Sequence, residues 1–560
     1  MKNVPIGQIL VESGMLSEAQ LSRALSIQKL SKGKMLGDIV VEQGFVSETQ
    51  FAQALAQRLK VPYVDLAITP VSVEAVKRIP EAIAKKNTLI AISSVGDRLT
   101  VATNDPINFY IFDDIKVIAG MDIYPVLATK SAIRDAIDRY YSQRNMDAAL
   151  ENISKEYVID DDFSFADGVL TGERIENAPI VKLTNTILEN AYHAGASDIH
   201  IEPFKTRTKI RIRVDGDLAE LMTVSNAVHA SVVTRLKILS GMNIAERRVP
   251  QDGRFSYEID RKTLDVRVSS LPTVNGEKIV IRLFSTGNES FRKITELGIT
   301  DYNYAMFEEI IRVPQGIILV TGPTGSGKTT TLYAVLDELA KPNVNIVTVE
   351  DPAEKSIDGI NQVQVNVKAG LTFATGLRSI LRQDPDIIMI GEIRDTETAE
   401  VAIRAAITGH LVLSTLHTND AASTIVRLVD MGVAPYLVAS SLTGVVAQRL
   451  VKLLCPHCKR KHVTDETEMR LLSIEDPVEI CEPVGCARCG GTGFHSRTAI
   501  HEIIPVTAAL RAKIVSNASV EELQDVASAS GTRLLRDNVA EMVLEGRTSM
   551  SELMRSTFSI

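Results

Sequence analysis

Residues 322–329 read Gly322-Pro323-Thr324-Gly325-Ser326-Gly327-Lys328-Thr329, set between the apolar run Gly316-Ile-Ile-Leu-Val-Thr321 and a helix-like stretch opening at Thr330. That context predicts a buried strand ending in a glycine-rich turn that opens a helix. Backbone N–H groups at a helix start, together with its dipole, face an anion. Glycines let the backbone approach phosphate oxygens with no Cβ in the way. Lys328 supplies a point charge for the β- and γ-phosphates, and Thr329 offers a hydroxyl to Mg²⁺. Gly322 to Thr330 are therefore the candidate nucleotide-binding residues, with Thr329 the candidate Mg²⁺ ligand.

The bulk numbers bound the rest. A chain of 560 residues is expected to hold about three or four domains. With 45% apolar and 23% charged residues, it has the composition of ordinary globular material. No uninterrupted apolar run approaches the ~18 residues of a spanning helix, and the start lacks a signal-peptide core. A cytoplasmic location is the expectation. The net charge of −9 argues against a broad nucleic-acid or anionic-lipid surface, while leaving room for local basic patches. Five cysteines in so long a chain point to a metal site rather than a disulfide framework.

The first 60 residues repeat with an offset of 30: Gly7, Ile9, Val11, Glu12, Gly14, Ser17, Glu18, Gln20, Ala24 and Leu25 recur as Gly37, Ile39, Val41, Glu42, Gly44, Ser47, Glu48, Gln50, Ala54 and Leu55. Each copy reads as a short helix, a glycine stop and a second helix. Ser17 and Ser47, with Gln20 and Gln50 three residues on, form the capping-box pattern that opens that second helix. Two units are too few for a solenoid, so a compact helical pair is expected over 1–60. Residues 61–141 alternate apolar runs with helical stretches, a small α/β unit. The acidic, aliphatic-poor stretch 142–177 reads as a flexible linker. A middle domain over 178–287 follows, with strands near Lys209–Val214 and Thr263–Ser269. The remainder, 291–560, carries the phosphate loop.

Past the loop, two more predicted strands end in acids: Asn345-Ile-Val-Thr-Val-Glu350-Asp351 and Asp386-Ile-Ile-Met-Ile-Gly391-Glu392. Ligands of open parallel sheets sit outside the carboxyl ends of the strands, so Glu350 and Glu392 should converge on the loop. Carboxylates there hold Mg²⁺ through water and orient a water on the γ-phosphate. Gly391 stands where an Asp usually precedes the Glu. A third strand, Leu411-Val-Leu-Ser-Thr-Leu-His417, ends in a histidine able to meet the γ-phosphate or the acids.

In order, GPTGSGKT (322–329), TVEDPAE (348–354), LRQDPDIIMIGEIRD (381–395) and TGHLVLSTLHTNDA (408–421) resemble the secretion-ATPase superfamily, specifically the traffic ATPases of type II secretion and type IV pilus assembly. The last three segments correspond to that family's Asp box, atypical Walker B motif and His box, and Gly391 is itself a family feature. The middle-domain segments Ala196–Pro203, Arg211–Gly216, Ala245–Gly253 and Arg267–Pro272 agree. The resemblance implies a RecA-like α/β motor, a PAS-like α+β middle domain and a helical plus α/β N-terminal region. It also implies a homohexamer that hydrolyses ATP with Mg²⁺ at sites between the middle and motor domains, with a hinge near Ser285–Lys293. Carried over by position, Glu350 and Glu392 direct water and Mg²⁺. His410 and His417 are the His-box residues, and Arg213, Arg267 and Arg282 are candidate phosphate-sensing arginines.

Cys455-Pro-His-Cys458 and Cys486-Ala-Arg-Cys489 are two Cys-x-x-Cys pairs 27 residues apart. Four paired thiolates suit tetrahedral structural Zn²⁺ in an insert over 455–489, with Cys481 left over. The family's assembly and secretion branch carries this insert and retraction motors generally lack it, so assembly or secretion is preferred. Type II secretion is the first reading of the client and pilus extension the second. The N-terminal repeat resembles a paired helical motif that binds cyclic di-GMP in some members. Those motifs begin Arg-Leu-Gly, but Pro5 and Met35 stand at the arginine positions, and the closing Gln28 is matched by Arg58 in the second copy. Two phosphate-facing cations are missing, so docking to a cytoplasmic adaptor beneath an inner-membrane platform protein is preferred over dinucleotide binding. The rival classes are a nucleic-acid motor and a nucleotide-gated scaffold. The acidic balance and 5% aromatic content, with no Trp, speak against nucleic acid.

Overall fold

The computed structural model describes residues 6–30, 36–66, 69–137, 140–141, 179–260, 262–285, 293–486 and 488–558. The stretch read as a linker, 142–177, lies outside the described residues, as do Pro5, Met35 and 286–292 of the expected hinge. Two compact units divide the chain, one holding Met1–Ser285 with Cys486–Gly491 and the other Thr286–Gly485 with Thr492–Ile560.

The 30-residue repeat folds as two helix pairs, α1 (Ile6–Glu12) with α2 (Glu18–Leu30) and α3 (Leu36–Glu42) with α4 (Glu48–Leu59). The Ser47 hydroxyl accepts the Gln50 N–H at 3.2 Å while Gln50 Oε1 accepts the Ser47 N–H at 3.0 Å. Ser17 and Gln20 repeat that reciprocal pair at 3.2 and 2.9 Å, so the repeat extends to the hydrogen bonds. Close approach explains the first glycine of each copy. A Cβ on Gly7 would fall 2.6 Å from Leu21, and one on Gly37 would fall 2.4 Å from Phe51. Leu10, Leu16, Ala24, Ile39, Val40, Val46 and Ala54 form the shared core.

Next comes a three-stranded sheet, β1 (Leu89–Val95) antiparallel to β2 (Arg98–Thr103), and β2 parallel to β3 (Asp122–Leu127) across α5 (Phe109–Ala119). Glu48 fastens α4 to this part, accepting the Ser131 N–H at 3.1 Å and its hydroxyl at 2.6 Å.

Six antiparallel strands follow: β4 (Asp198–Pro203), β5 (Thr208–Val214), β6 (Asp217–Val224), β7 (Gln251–Ile259), β8 (Lys262–Thr273) and β9 (Gly276–Ser285), ordered β6-β5-β4-β9-β8-β7. Ile199, Ile201, Ile210, Ile212, Ile279 and Ile281 pack against α6 (Pro179–His193) and α7 (Asn226–Leu239) in one core. Side chains alternate across a strand. Asp198, Glu202, Lys209, Arg211, Arg213, Lys278 and Arg282 therefore share the opposite face.

The second unit is built on β10 (Gly316–Thr321), β11 (Ile346–Glu350), β12 (Asn361–Gln364), β13 (Ile387–Ile390), β14 (Leu411–Leu416), β15 (Leu442–Leu454) and β18 (Phe494–Pro505). Their order is β12-β11-β13-β14-β10-β15-β18, with only β18 antiparallel to its neighbour. A separate ribbon pairs β16 (Arg460–Val463) with β17 (Glu479–Glu482). Every residue of β10, β11, β13 and β14 is buried, which is why they read as unbroken apolar runs. Alternate residues of β10 enter two different cores: Ile317 and Leu319 one, Ile318 and Val320 the other. Both faces are covered, and only the strand ends are free to build a site.

On β18, burial drives the His501 imidazole down to a pKa of about 3 from an ordinary 6.5. The unfolded chain takes up that proton first, so this group's contribution is complete above about pH 6.5 and drains away toward pH 3. Thermal melts at about pH 7 and pH 5 check it. Wild type is expected to lose more Tm between the two than a His501→Leu variant.

Candidate active site

Strand β10 ends at Thr321 and α8 (Lys328–Leu339) begins seven residues later, with the phosphate loop between them. Gly322, Gly325 and Gly327 have φ of 145°, 79° and 87°, in the left-handed half of backbone space that glycine tolerates. Gly322 is also a contact point, since a Cβ there would lie 2.3 Å from the Gln448 carbonyl oxygen. The Lys328 Nζ donates to the carbonyl oxygens of Gly322 (2.8 Å) and Pro323 (3.1 Å). Burial lowers its pKa, against the pull of Glu392. The lysine thus folds back over its own loop. Thr329 is half-buried, while Pro323, Thr324, Gly325 and Thr330 are exposed.

Gln448 on β15, missed by the sequence reading, braces the loop from below. Its Nε2 donates to the Ser326 carbonyl at 2.8 Å, and its Oε1 accepts the Thr331 hydroxyl at 2.6 Å. No sequence pattern flags a residue 117 positions from its partner. Gln448→Ala is expected to weaken nucleotide affinity about tenfold by freeing the loop. Titration with a fluorescent ATP analogue measures it.

Both acids lie at carboxyl ends of strands on the loop's edge of the sheet. Glu350 closes β11, nearly fully buried, with hydrogen bonds from the Tyr333 hydroxyl, the Thr348 hydroxyl (2.6 Å) and Gln362 Nε2 (2.9 Å). Tyr333 sits on α8, so the helix opened by the phosphate loop also orients this carboxylate. Its own hydroxyl pKa is raised, by burial first and then by Glu350. Glu392 follows β13 and is mostly buried, with Arg394 at 2.5 Å and His417 Nε2 at 3.3 Å. Burial alone would push the Glu392 carboxyl up, but Arg394 and His417 together hold it below the usual carboxylate range. It is ionised at neutral pH and ready to accept a proton or a metal-bound water. Gly391 lies where β11 and β13 come together, a Cβ there meeting the Glu350 Cα at 3.4 Å.

The two His-box residues part company. His417 leaves the end of β14 and reaches Glu392, and the turn beyond it is tied to the loop strand. The Thr321 and Thr418 hydroxyls lie 2.7 Å apart, and the Thr418 N–H donates to Thr321 Oγ1 at 3.0 Å. His410 stands before β14 begins, its carbonyl accepting the Gly316 N–H at 3.1 Å and its Nδ1 2.9 Å from the Ala405 carbonyl oxygen. Six extended residues, roughly 20 Å, separate it from the loop edge. Within the subunit, that distance takes His410 out of the set gathered around the phosphate loop.

The arginines belong to the first unit and share one row. Register places Arg213, Asp198, Arg282, Arg267 and Arg254 opposite one another across β5, β4, β9, β8 and β7. Asp198 lies 3.0 Å from Arg282 and 4.0 Å from Arg213, while Arg267 pairs with Asp265 at 3.2 Å and lies over the Phe284 ring. Arg254, exposed at the end of the row, was not among the sequence candidates; only strand register reveals it.

The Sγ atoms of Cys455, Cys458, Cys486 and Cys489 all lie within 4.8 Å of one another. The Cys486–Cys489 separation of 3.8 Å matches the edge of a tetrahedron with ~2.3 Å zinc–sulfur bonds. The Cys486 N–H donates to the Cys489 sulfur at 3.1 Å, an outer hydrogen bond suited to a thiolate. The donor set fits Zn²⁺ with no position left for catalysis.

A family model described as type II/IV secretion system protein matches residues 173–555, and an MshEN domain model matches 59–146. The chain belongs to the type II/IV secretion system protein family. Among relatives, the type IV pilus assembly ATPase PilB of Myxococcus xanthus is 40% identical, covering 99% of this chain and 98% of its own. The type II secretion system ATPase E of Vibrio cholerae is also 40% identical, over 88% of this chain and 99% of its own. The X-ray structure of the Yersinia pseudotuberculosis ATPase DotB aligns with a TM-score of 0.50 at 19% identity, covering 71% of this chain and 97% of its own. That likeness concerns the fold alone. Among the described residues, no helix of this family member is long and apolar enough to cross a membrane.

Proposed function

We propose that this chain is an ATP hydrolase that drives subunit assembly in a secretion or pilus machine. The observation that carries the reading is Glu392, an ionised carboxylate held by His417 and Arg394 at a strand end beside the Lys328 loop. Thr329 and Glu350 complete a set suited to Mg²⁺-bound nucleotide. Zn²⁺ holds the insert of four cysteines. The working form is a homohexamer, in which the row from Arg213 through Asp198 and Arg282 to Arg267 meets the developing γ-phosphate charge. The N-terminal helical repeat docks to a cytoplasmic adaptor and so brings the motor to an inner-membrane platform protein.

Type II protein secretion through a pseudopilus is the first reading of the client. Pilus extension is the second; end-to-end alignment at 40% identity is reached with a pilus assembly ATPase and with a type II secretion system protein E alike. Complementation separates them. A strain stripped of this gene loses secreted enzymes under the first reading and surface pili under the second. Native mass spectrometry with MgATP tests the hexamer, and a monomer under all nucleotide conditions removes it.

A further inference from the structure

The outer face of the six-stranded sheet carries a second basic site, toward the other end of β4 and β5 from the arginine row. Strand order puts the β4–β5 turn and the β8–β9 turn side by side at one end of this sheet. Between them lies a cleft of about 740 Å³ lined by Phe204, Lys205, Arg207, Lys209, Arg211 and Asn275 among others. The turn is held in shape from behind. The Phe204 N–H donates to the Arg207 carbonyl at 2.8 Å, and Asn226 Nδ2 at the start of α7 donates to the Phe204 carbonyl at 2.9 Å.

Charge does not balance in this cleft. Lys209 pairs with Glu220 at 2.7 Å, and Glu202 is shared by Arg211 at 2.7 Å and Lys278 at 2.8 Å. Lys205 and Arg207 are exposed and, among the described residues, have no carboxylate within ion-pair distance. Five cations face two carboxylates, an excess of three positive charges in a chain whose net charge is −9. At the rim, Phe204 is 43% exposed and Val274 on the neighbouring turn fully so. Along β5, Arg211 lies two residues, roughly 7 Å, from Arg213 of the arginine row, and Lys209 lies four residues, roughly 13 Å, from it.

We propose that this cleft binds a phosphate-bearing ligand. The two arginines offer planar forks for bidentate phosphate contact, and the lysines add mobile charge. Phe204 and Val274 receive whatever apolar part the phosphate carries. A free polyphosphate and a phospholipid headgroup share this chemistry, so the test has two arms.

Full-length protein, its phosphate loop saturated with MgADP, is titrated with inorganic pyrophosphate by calorimetry. In parallel it is floated with vesicles of phosphatidylglycerol or of phosphatidylcholine. The expected result is binding in at least one anionic arm, weakened roughly tenfold or more in a Lys205→Glu, Arg207→Glu variant. Pyrophosphate binding assigns a free ligand; flotation with phosphatidylglycerol alone assigns a headgroup. Lys85→Glu with Lys86→Glu, an equal charge change on an exposed helix of the same unit, is expected to leave binding intact. Unchanged melting temperature, and a milder loss in Lys205→Gln with Arg207→Gln, separate binding from misfolding. Absence of binding in both anionic arms overturns the proposal, as does equal weakening by the Lys85/Lys86 control.

Discussion

Glu392→Gln is expected to lower ATP turnover by about a hundred- to a thousandfold or more while leaving nucleotide affinity within a few-fold of wild type. The substitution keeps the size and one oxygen of the side chain and removes its charge. His417 and Arg394 hold this carboxylate in its ionised form, the form that accepts a proton from attacking water or holds metal-bound water. Phosphate release gives kcat, and titration with a fluorescent ATP analogue gives Kd. Lys328→Ala is the matching contrast, since it removes the loop's own cation and should lose affinity itself. Turnover within about threefold of wild type in Glu392→Gln would sink the catalytic assignment.

Removing one zinc ligand is expected to have the largest effect on stability. Cys455→Ser leaves three thiolates, and the metal content should fall from about one zinc per chain to near zero, as read by a colorimetric chelator after denaturation. The loss will not stay local. Cys455 directly follows β15, its N–H donates to the Gly493 carbonyl at 2.9 Å, and β18 begins at the next residue. The four cysteines therefore close the far end of the long β15–β18 pair. Tm is expected to drop by about 5 °C or more, and the wild-type protein to follow it under strong chelation. A variant that keeps both its zinc and its Tm contradicts the site.

The phosphate loop was legible because local pattern decides it: an apolar strand, glycines at positive φ and a helix start all lie within about twenty residues. Glu350 and Glu392 were legible as strand ends for the same reason. What surrounds them was not. Tyr333 and Gln362 orient Glu350, and Gln448 braces the loop, yet these partners meet only after seven strands are ordered with β14 between β13 and β10. His410 shows the opposite failure. It belongs to the same motif as His417, but a buried strand runs between them and delivers them to opposite ends of the sheet. Arg254 was hidden because a row across antiparallel strands is set by register, which one strand's sequence does not carry.

The bond between Thr321 and Thr418 bears on how firmly the phosphate loop is held to its neighbours. Separating the strand behind the phosphate loop from the turn behind His417 would leave the part-buried Thr418 N–H without its acceptor, at a cost on the order of 1–3 kcal/mol, while Thr418 keeps Thr424 and Thr321 keeps the Leu416 carbonyl. The strand behind the loop and the turn behind His417 are thus coupled, so a shift of one carries the other with it.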